Sequence, residues 1–92
     1  MIVRIMGEGQ YRLGDDVRQR VNEQDNRCVA AVDGGDADGF RACFDELLDL
    51  VRTAGEPVDD ADLHPSDVII PPADTTFEEA ASDFTGDGLI PD

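Results

Sequence analysis

The sequence predicts a single α+β domain over residues 1–92, and two observations point to it. The first is a stretch, Gly39 to Ala54, in which large apolar residues recur at intervals of three and four, as on one face of an α-helix. The second is a set of short β-rich runs on either side of the helical region, bounded by glycine or proline. We therefore expect a small three-stranded, mainly antiparallel sheet packed with a helical hairpin and a short C-terminal helix.

The stretch from Gly39 to Ala54 is expected to organise the core. Asp36 or Asp38 can cap its start by accepting a hydrogen bond from a backbone N–H of the first turn. Gly55 is expected to end it in the left-handed conformation. Its apolar face holds the largest group of hydrophobic side chains in the chain: Phe40, Cys43, Phe44, Leu47, Leu48, Leu50 and Val51.

The segments before this helix predict a hairpin and a partner helix. Ile2–Met6 and Gln10–Leu13 are expected to pair as antiparallel strands across a glycine-bearing turn. Arg4 and Arg12 would face solvent if the apolar residues beside them turn inward, but the pattern does not fix which face is buried. A helix from about Asp16 to Val32 follows, and its apolar stripe is thin. The glycine-rich connection 33–38 should join the two helices as an antiparallel hairpin.

The segments after Gly55 predict a loop, a strand and a short helix. Glu56 to Pro65 is expected to be an ordered surface loop. Val68 to Ile70 predicts a third strand at an edge of the sheet, because the prolines that follow it cannot donate to a ladder. Thr75 or Thr76 should cap a last helix, and Leu89 and Ile90 near the end are expected to dock.

The charge pattern is extreme. Twenty-two acidic residues face seven basic ones, giving a formal net charge of −15, and all seven basic residues are arginine. Concentrated salt tolerates such a surface, because repulsion is screened within about 3 Å at 1 M. We interpret the composition as adaptation to a salt-rich cytoplasm.

The same composition argues against several classes of partner. No basic cluster or aromatic platform is present to bind nucleic acid. No apolar run is long enough to span a bilayer, and the N-terminus lacks the features of a signal peptide. We expect a cytoplasmic protein that does not insert directly into a membrane.

The reactive residues do not form a complete catalytic or metal set. His64 is the only histidine and is expected to be a loop residue. Asp83 to Gly88 resembles the start of a calcium loop, but the acidic residue that would complete it is missing. We expect no catalytic residues, no cofactor and no metal.

Cys28 and Cys43 lie about equally far from the middle of the helical hairpin, so they can face each other. Reduced, buried thiols are the default in a cytosolic protein. A reversible disulfide, or half of a metal site, is the alternative. The pair is therefore a candidate redox pair.

Two surfaces are candidates for binding a partner. One is the predicted edge strand, Val68, Ile69 and Ile70, which can accept a partner strand. The other is any part of the helix face left uncovered, formed by Phe40, Phe44, Leu47 and Val51. Burial of both within the domain is the alternative.

Several segments resemble the PspA-associated domain family, PspAA, in a haloarchaeal-type form. They are MIVRIMGEGQYRL at the start, AAVDGGDADGFRACFDELLDLVR across the helices, and LHPSDVIIPPADTTFEEA with GDGLIPD at the end. The resemblance implies a non-enzymatic accessory module of a phage-shock-like envelope stress response, with a PspA-like coiled-coil protein as partner. It implies no catalytic residues. A redox- or ligand-sensing module using Cys28 and Cys43, or a self-associating structural protein that forms homo-oligomers, remains the alternative.

Overall fold

A computed structural model describes residues 1–58 and 66–83 of the chain. It contains a sheet and three helices in an α+β arrangement. The strands are β1 (Ile2–Ile5), β2 (Gly9–Arg12), β3 (Glu56–Val58) and β4 (Val68–Ile70), and the helices are α1 (Asp15–Asp33), α2 (Ala37–Ala54) and α3 (Phe77–Asp83).

In the described part of the chain, the sheet has four strands in the order β3-β2-β1-β4. β2 pairs antiparallel with β1, as the short turn between them favours, and also antiparallel with β3, whereas β4 runs parallel to β1. The expectation of three mainly antiparallel strands is therefore corrected to a four-stranded mixed sheet. β4 lies at an edge, as its flanking prolines predicted.

The strand missing from the prediction is β3, since Glu56–Val58 was expected to belong to a loop. Its three residues include Pro57, and no apolar alternation marks them. Pairing with β2 places Pro57 opposite Tyr11 at the other edge of the sheet. An edge strand tolerates proline because only one side of it must donate hydrogen bonds.

The helical hairpin was predicted correctly. α1 and α2 are joined by a short turn in which Gly35 has a positive φ of 69°, a conformation that glycine adopts without strain. Asp36 caps α2 by accepting a 2.9 Å hydrogen bond from the Gly39 N–H. At α3, Thr76 and Glu79 form a reciprocal capping box.

The end of α2 differs from the prediction. Gly55 has φ −81° and ψ 156°, which is extended and not left-handed. A Cβ atom at this position would lie 2.6 Å from the Val51 carbonyl oxygen and 3.0 Å from Leu13 Cδ2. Glycine is therefore required here by close packing, since the chain passes directly from α2 into β3.

The core lies between the sheet and the helices. Val3 and Ile5 of β1 are buried and Arg4 between them is exposed, so the structure decides which face of the strand is buried, a point that the sequence pattern left open. The buried hydrophobic residues are Val3, Ile5, Leu13, Val21, Cys28, Val29, Phe40, Phe44, Leu47, Leu48, Val51, Val68, Ile70 and Ala80.

Candidate interaction surface and thiol pair

The candidate helix surface lies inside the core. Phe40, Phe44, Leu47 and Val51 are each at most 1% exposed. The Phe40 ring stacks on Phe44 at a centroid distance of 5.4 Å, and Phe77 of α3 meets Phe40 edge-on at 5.9 Å. The apolar stripe of α1 is thin, but the α2 face is still closed, because the sheet and α3 also cover it.

The edge strand β4 presents one exposed apolar residue. Val68 and Ile70 are buried, whereas Ile69 between them is 56% exposed. Met6, which is 47% exposed, follows the end of the neighbouring strand β1. Ile69 and Met6 are the exposed large hydrophobic residues in the described part of the chain.

Hydrogen bonds hold β4 in place at both of its ends. At the start, the Asp67 N–H donates to the Ile2 carbonyl oxygen and Asp67 Oδ2 accepts from the Ile2 N–H, both at 2.8 Å. At the end, the Met6 N–H donates to the Ile70 carbonyl oxygen at 3.0 Å. The strand is therefore a fixed edge, and β1 is the only described strand beside it.

The two cysteines meet between α1 and α2. Cys28 is fully buried, Cys43 is partly exposed, both are free thiols, and a hydrogen bond joins their side chains. Burial, followed by the proximity of Cys43 and Asp25, raises the pKa of the Cys28 thiol to about 12. Cys28 is therefore a protonated thiol at neutral pH.

Gln24, one turn before Cys28 on α1, lies next to the part of α2 that contains Cys43 and Glu46. Its Nε2 donates to the Cys43 carbonyl oxygen at 3.0 Å and to Glu46 Oε2 at 3.2 Å. A cleft of about 280 Å³ opens beside these contacts. It is lined by Arg20, Glu23, Gln24, Arg27, Glu46 and Leu50.

Within residues 1–58 and 66–83, no three His, Cys, Asp or Glu side chains are grouped so that they can hold a metal ion. His64 and most of the calcium-like segment, residues 84–88, lie outside the described residues. None of the three described helices is long and apolar enough to cross a membrane.

The chain matches the model of a known protein family. No match was found among curated proteins or among solved structures. The model of the PspA-Associated protein family, PspAA, matches residues 1–92, the full length of the chain. The resemblance noted from the sequence is therefore confirmed at the level of the family, and the chain belongs to the PspA-associated protein family.

Proposed function

We propose that this chain is a non-enzymatic accessory module of a PspA-type envelope stress response and that it acts in the cytoplasm by binding a protein partner. The observation that carries the proposal is the family match over residues 1–92, because the family is named for association with PspA. A fold with two exposed large apolar side chains among its described residues is consistent with action through a surface.

The β4 edge is the surface that we assign to this binding. An edge strand offers backbone N–H and C=O groups to an incoming extended segment, and the side chains beside it provide selectivity. Ile69 and Met6 would supply the apolar contact, while the buried Val68 and Ile70 hold the strand against the core. Pro71 and Pro72 follow directly and limit the pairing to about one short strand.

The partner that fits the family is a PspA-like coiled-coil protein, bound through an extended segment outside its coiled coil. The buried face of α2 is not used in this proposal, because reaching Phe40 or Phe44 would require the core to open. The net charge of −15 favours a partner segment that is basic or neutral.

A pull-down tests the proposal directly. The tagged chain is mixed with the PspA homologue from the same genome in about 1 M salt, where surface repulsion is screened within about 3 Å. We expect the homologue to be recovered by the wild-type chain and by Ala42→Lys, a control at an exposed position on α2. Ile69→Lys should reduce recovery about tenfold or more, as expected for loss of a central contact.

The possible outcomes distinguish an error in the proposed function from an error in the proposed binding surface. Recovery of no PspA homologue by the wild-type chain would overturn the proposed function. Equal recovery by Ile69→Lys and Ala42→Lys would leave a PspA partner but reject the β4 edge. Sedimentation of the chain alone would show whether the same edge instead pairs two copies.

A further inference from the structure

Cys28 and Cys43 face each other where α1 packs against α2. Cys28 lies in the last two turns of α1 and Cys43 in the first two turns of α2, on opposite sides of the turn at Gly34 to Asp36. The hydrogen bonds from Gln24 to the Cys43 carbonyl and to Glu46 set the same antiparallel alignment one turn away. The two sulfur atoms are therefore held together by the packing of the helices.

Solvent reaches the two sulfur atoms unequally. Cys43 is partly exposed, and the cleft lined by Gln24 and Glu46 opens next to its helix turn. Cys28 is fully buried in the core and hydrogen-bonded to Cys43. A small oxidant from solvent therefore meets Cys43 first, with Cys28 already in contact behind it.

We propose that Cys28 and Cys43 are an oxidation site at which a hydroperoxide forms an intramolecular disulfide that locks α1 to α2. The Cys43 sulfur, as thiolate, attacks one peroxide oxygen, the O–O bond breaks, and the product is Cys43 sulfenic acid and, after protonation, water or an alcohol. The Cys28 sulfur then attacks the Cys43 sulfur. The S–O bond breaks, and the departing hydroxide leaves as water with the Cys28 proton.

The balance of this reaction is complete. The two thiols together lose two protons and two electrons, and one hydroperoxide is reduced by the same two electrons. In this reaction the partly exposed Cys43 is oxidised first. The buried Cys28 then attacks the oxidised sulfur and forms the disulfide. This order follows from access and from the protonated state of Cys28.

The disulfide would close a loop from residue 28 to residue 43, which contains the whole helical turn. Restricting this loop in the unfolded chain raises the melting temperature, and a loop of this size predicts an increase on the order of 10 °C. The inference is independent of PspA binding, because the reaction and its effect are measured on the isolated chain.

The test is to treat the purified chain with hydrogen peroxide and digest it with trypsin without reduction. Cleavage after Arg27, Arg41 and Arg52 places the cysteines in separate peptides, 28–41 and 42–52. We expect a linked pair of these peptides from a monomer, an intact mass lower by two hydrogen atoms, and the higher melting temperature. Dithiothreitol should reverse all three.

Two variants control for structural effects. Cys43→Ser, at the partly exposed position, should melt near the reduced wild type and should show neither the linked peptides nor the shift with peroxide. Cys28→Ala should let Cys43 proceed to stable higher oxides, because the resolving sulfur is gone. Absence of the linked pair in the wild type, a linkage only between two copies, or a linked chain with an unchanged melting temperature would each overturn the proposal.

Discussion

At the scale of single residues, two arginines on α2 tie distant segments to the helix. Arg41 donates to the carbonyl oxygens of Ala73 and Thr75, both at 3.1 Å, and its guanidinium lies 5.2 Å from the centre of the Phe44 ring. These contacts hold the segment that leads into α3 against α2. Sequence periodicity does not show such contacts, because the partners are backbone atoms more than thirty residues away.

Arg52 makes the second tie, from the last turn of α2 to the turn between β1 and β2. Its Nε donates to Glu8 Oε1 at 2.8 Å and its Nη2 to Glu8 Oε2 at 2.6 Å, a two-pronged arrangement. The hydrogen bond from Arg52 lowers the pKa of the Glu8 carboxyl below its ordinary value. Both side chains are about one-third exposed, so the pair contributes modestly to stability.

Glu8→Gln should lower the unfolding free energy at neutral pH by about 0.5 kcal/mol and should weaken its dependence on acid. The folded pKa of Glu8 lies below the unfolded one, so its contribution is complete above the ordinary value of 4.5 and is lost as the pH falls through the folded pKa. Urea unfolding at several pH values measures the difference between the two proteins.

The difference in unfolding free energy between wild type and Glu8→Gln should shrink as the pH falls. Asp74→Asn serves as the control, because Asp74 is exposed and forms no ion pair with another described residue. A gap between wild type and Glu8→Gln that stays constant or widens toward acid would contradict the role assigned to the pair.

At the scale of elements, the junction between α2 and β3 shows how packing replaces a local rule. A glycine after a helix, followed within two residues by proline, is typical of a left-handed helix end. Here the chain instead continues extended from Gly55 into β3, which pairs with β2. The glycine makes room for the Val51 carbonyl, Leu13 and Tyr11, so the sequence identified the right residue for a different reason.

Substitutions at Gly55 distinguish the two explanations. Because the obstacle is steric, Gly55→Ala should lower the unfolding free energy by about 1–3 kcal/mol, and the larger Gly55→Asn should lower it further. A left-handed helix end would give the opposite order, since asparagine adopts that conformation more readily than alanine. Chemical denaturation of the two variants decides between these orders.

Other elements could be predicted from the sequence because the residues that define them are close together in the chain. The cap at Asp36, the capping box at Thr76 and Glu79, and the apolar face of α2 all depend on residues within a few positions of each other. β3 was missed because three residues with a central proline carry no local strand signal. Its existence depends on pairing with β2, which lies more than forty residues earlier.

At the scale of the whole molecule, charge is the dominant feature. A net charge of −15 on 92 residues creates repulsion that favours expansion, and three salt bridges among the described residues offset little of it. Arg52 takes part in two of these bridges. Stability should therefore depend on ions in solution to screen the surface.

We expect the melting temperature at pH 7 to rise by about 10 °C or more between roughly 0.05 M and 1 M sodium chloride, because the Debye length falls from more than 10 Å to about 3 Å. Repeating the series near the pI of 4.1, where the net charge vanishes, should give a much smaller rise. Equal salt effects at the two pH values, or none at pH 7, would remove the interpretation of the composition as salt adaptation.

For the candidate surfaces, local sequence predicted the position of the strand, and tertiary packing decided which residues are exposed. The sequence placed Val68 to Ile70 at an edge, and that position is confirmed. It did not indicate which of the three residues faces outward, and it left open whether the aromatic face of α2 is exposed or buried within the domain, where Phe77 of α3 packs against it. Exposure depends on every element that packs against a residue, and those elements come from distant parts of the chain.

The sequence by itself determined the family, the two long helices, the cap of α2 at Asp36, the opening hairpin and the short strand bounded by proline, because each depends on neighbouring residues. Only the tertiary structure decided that β4 runs parallel to β1, that β3 completes a mixed sheet, and that the α2 face is buried. It also decided that the thiols of Cys28 and Cys43 touch. These features arise from backbone pairing and packing between distant segments, and no local pattern encodes which segments will meet.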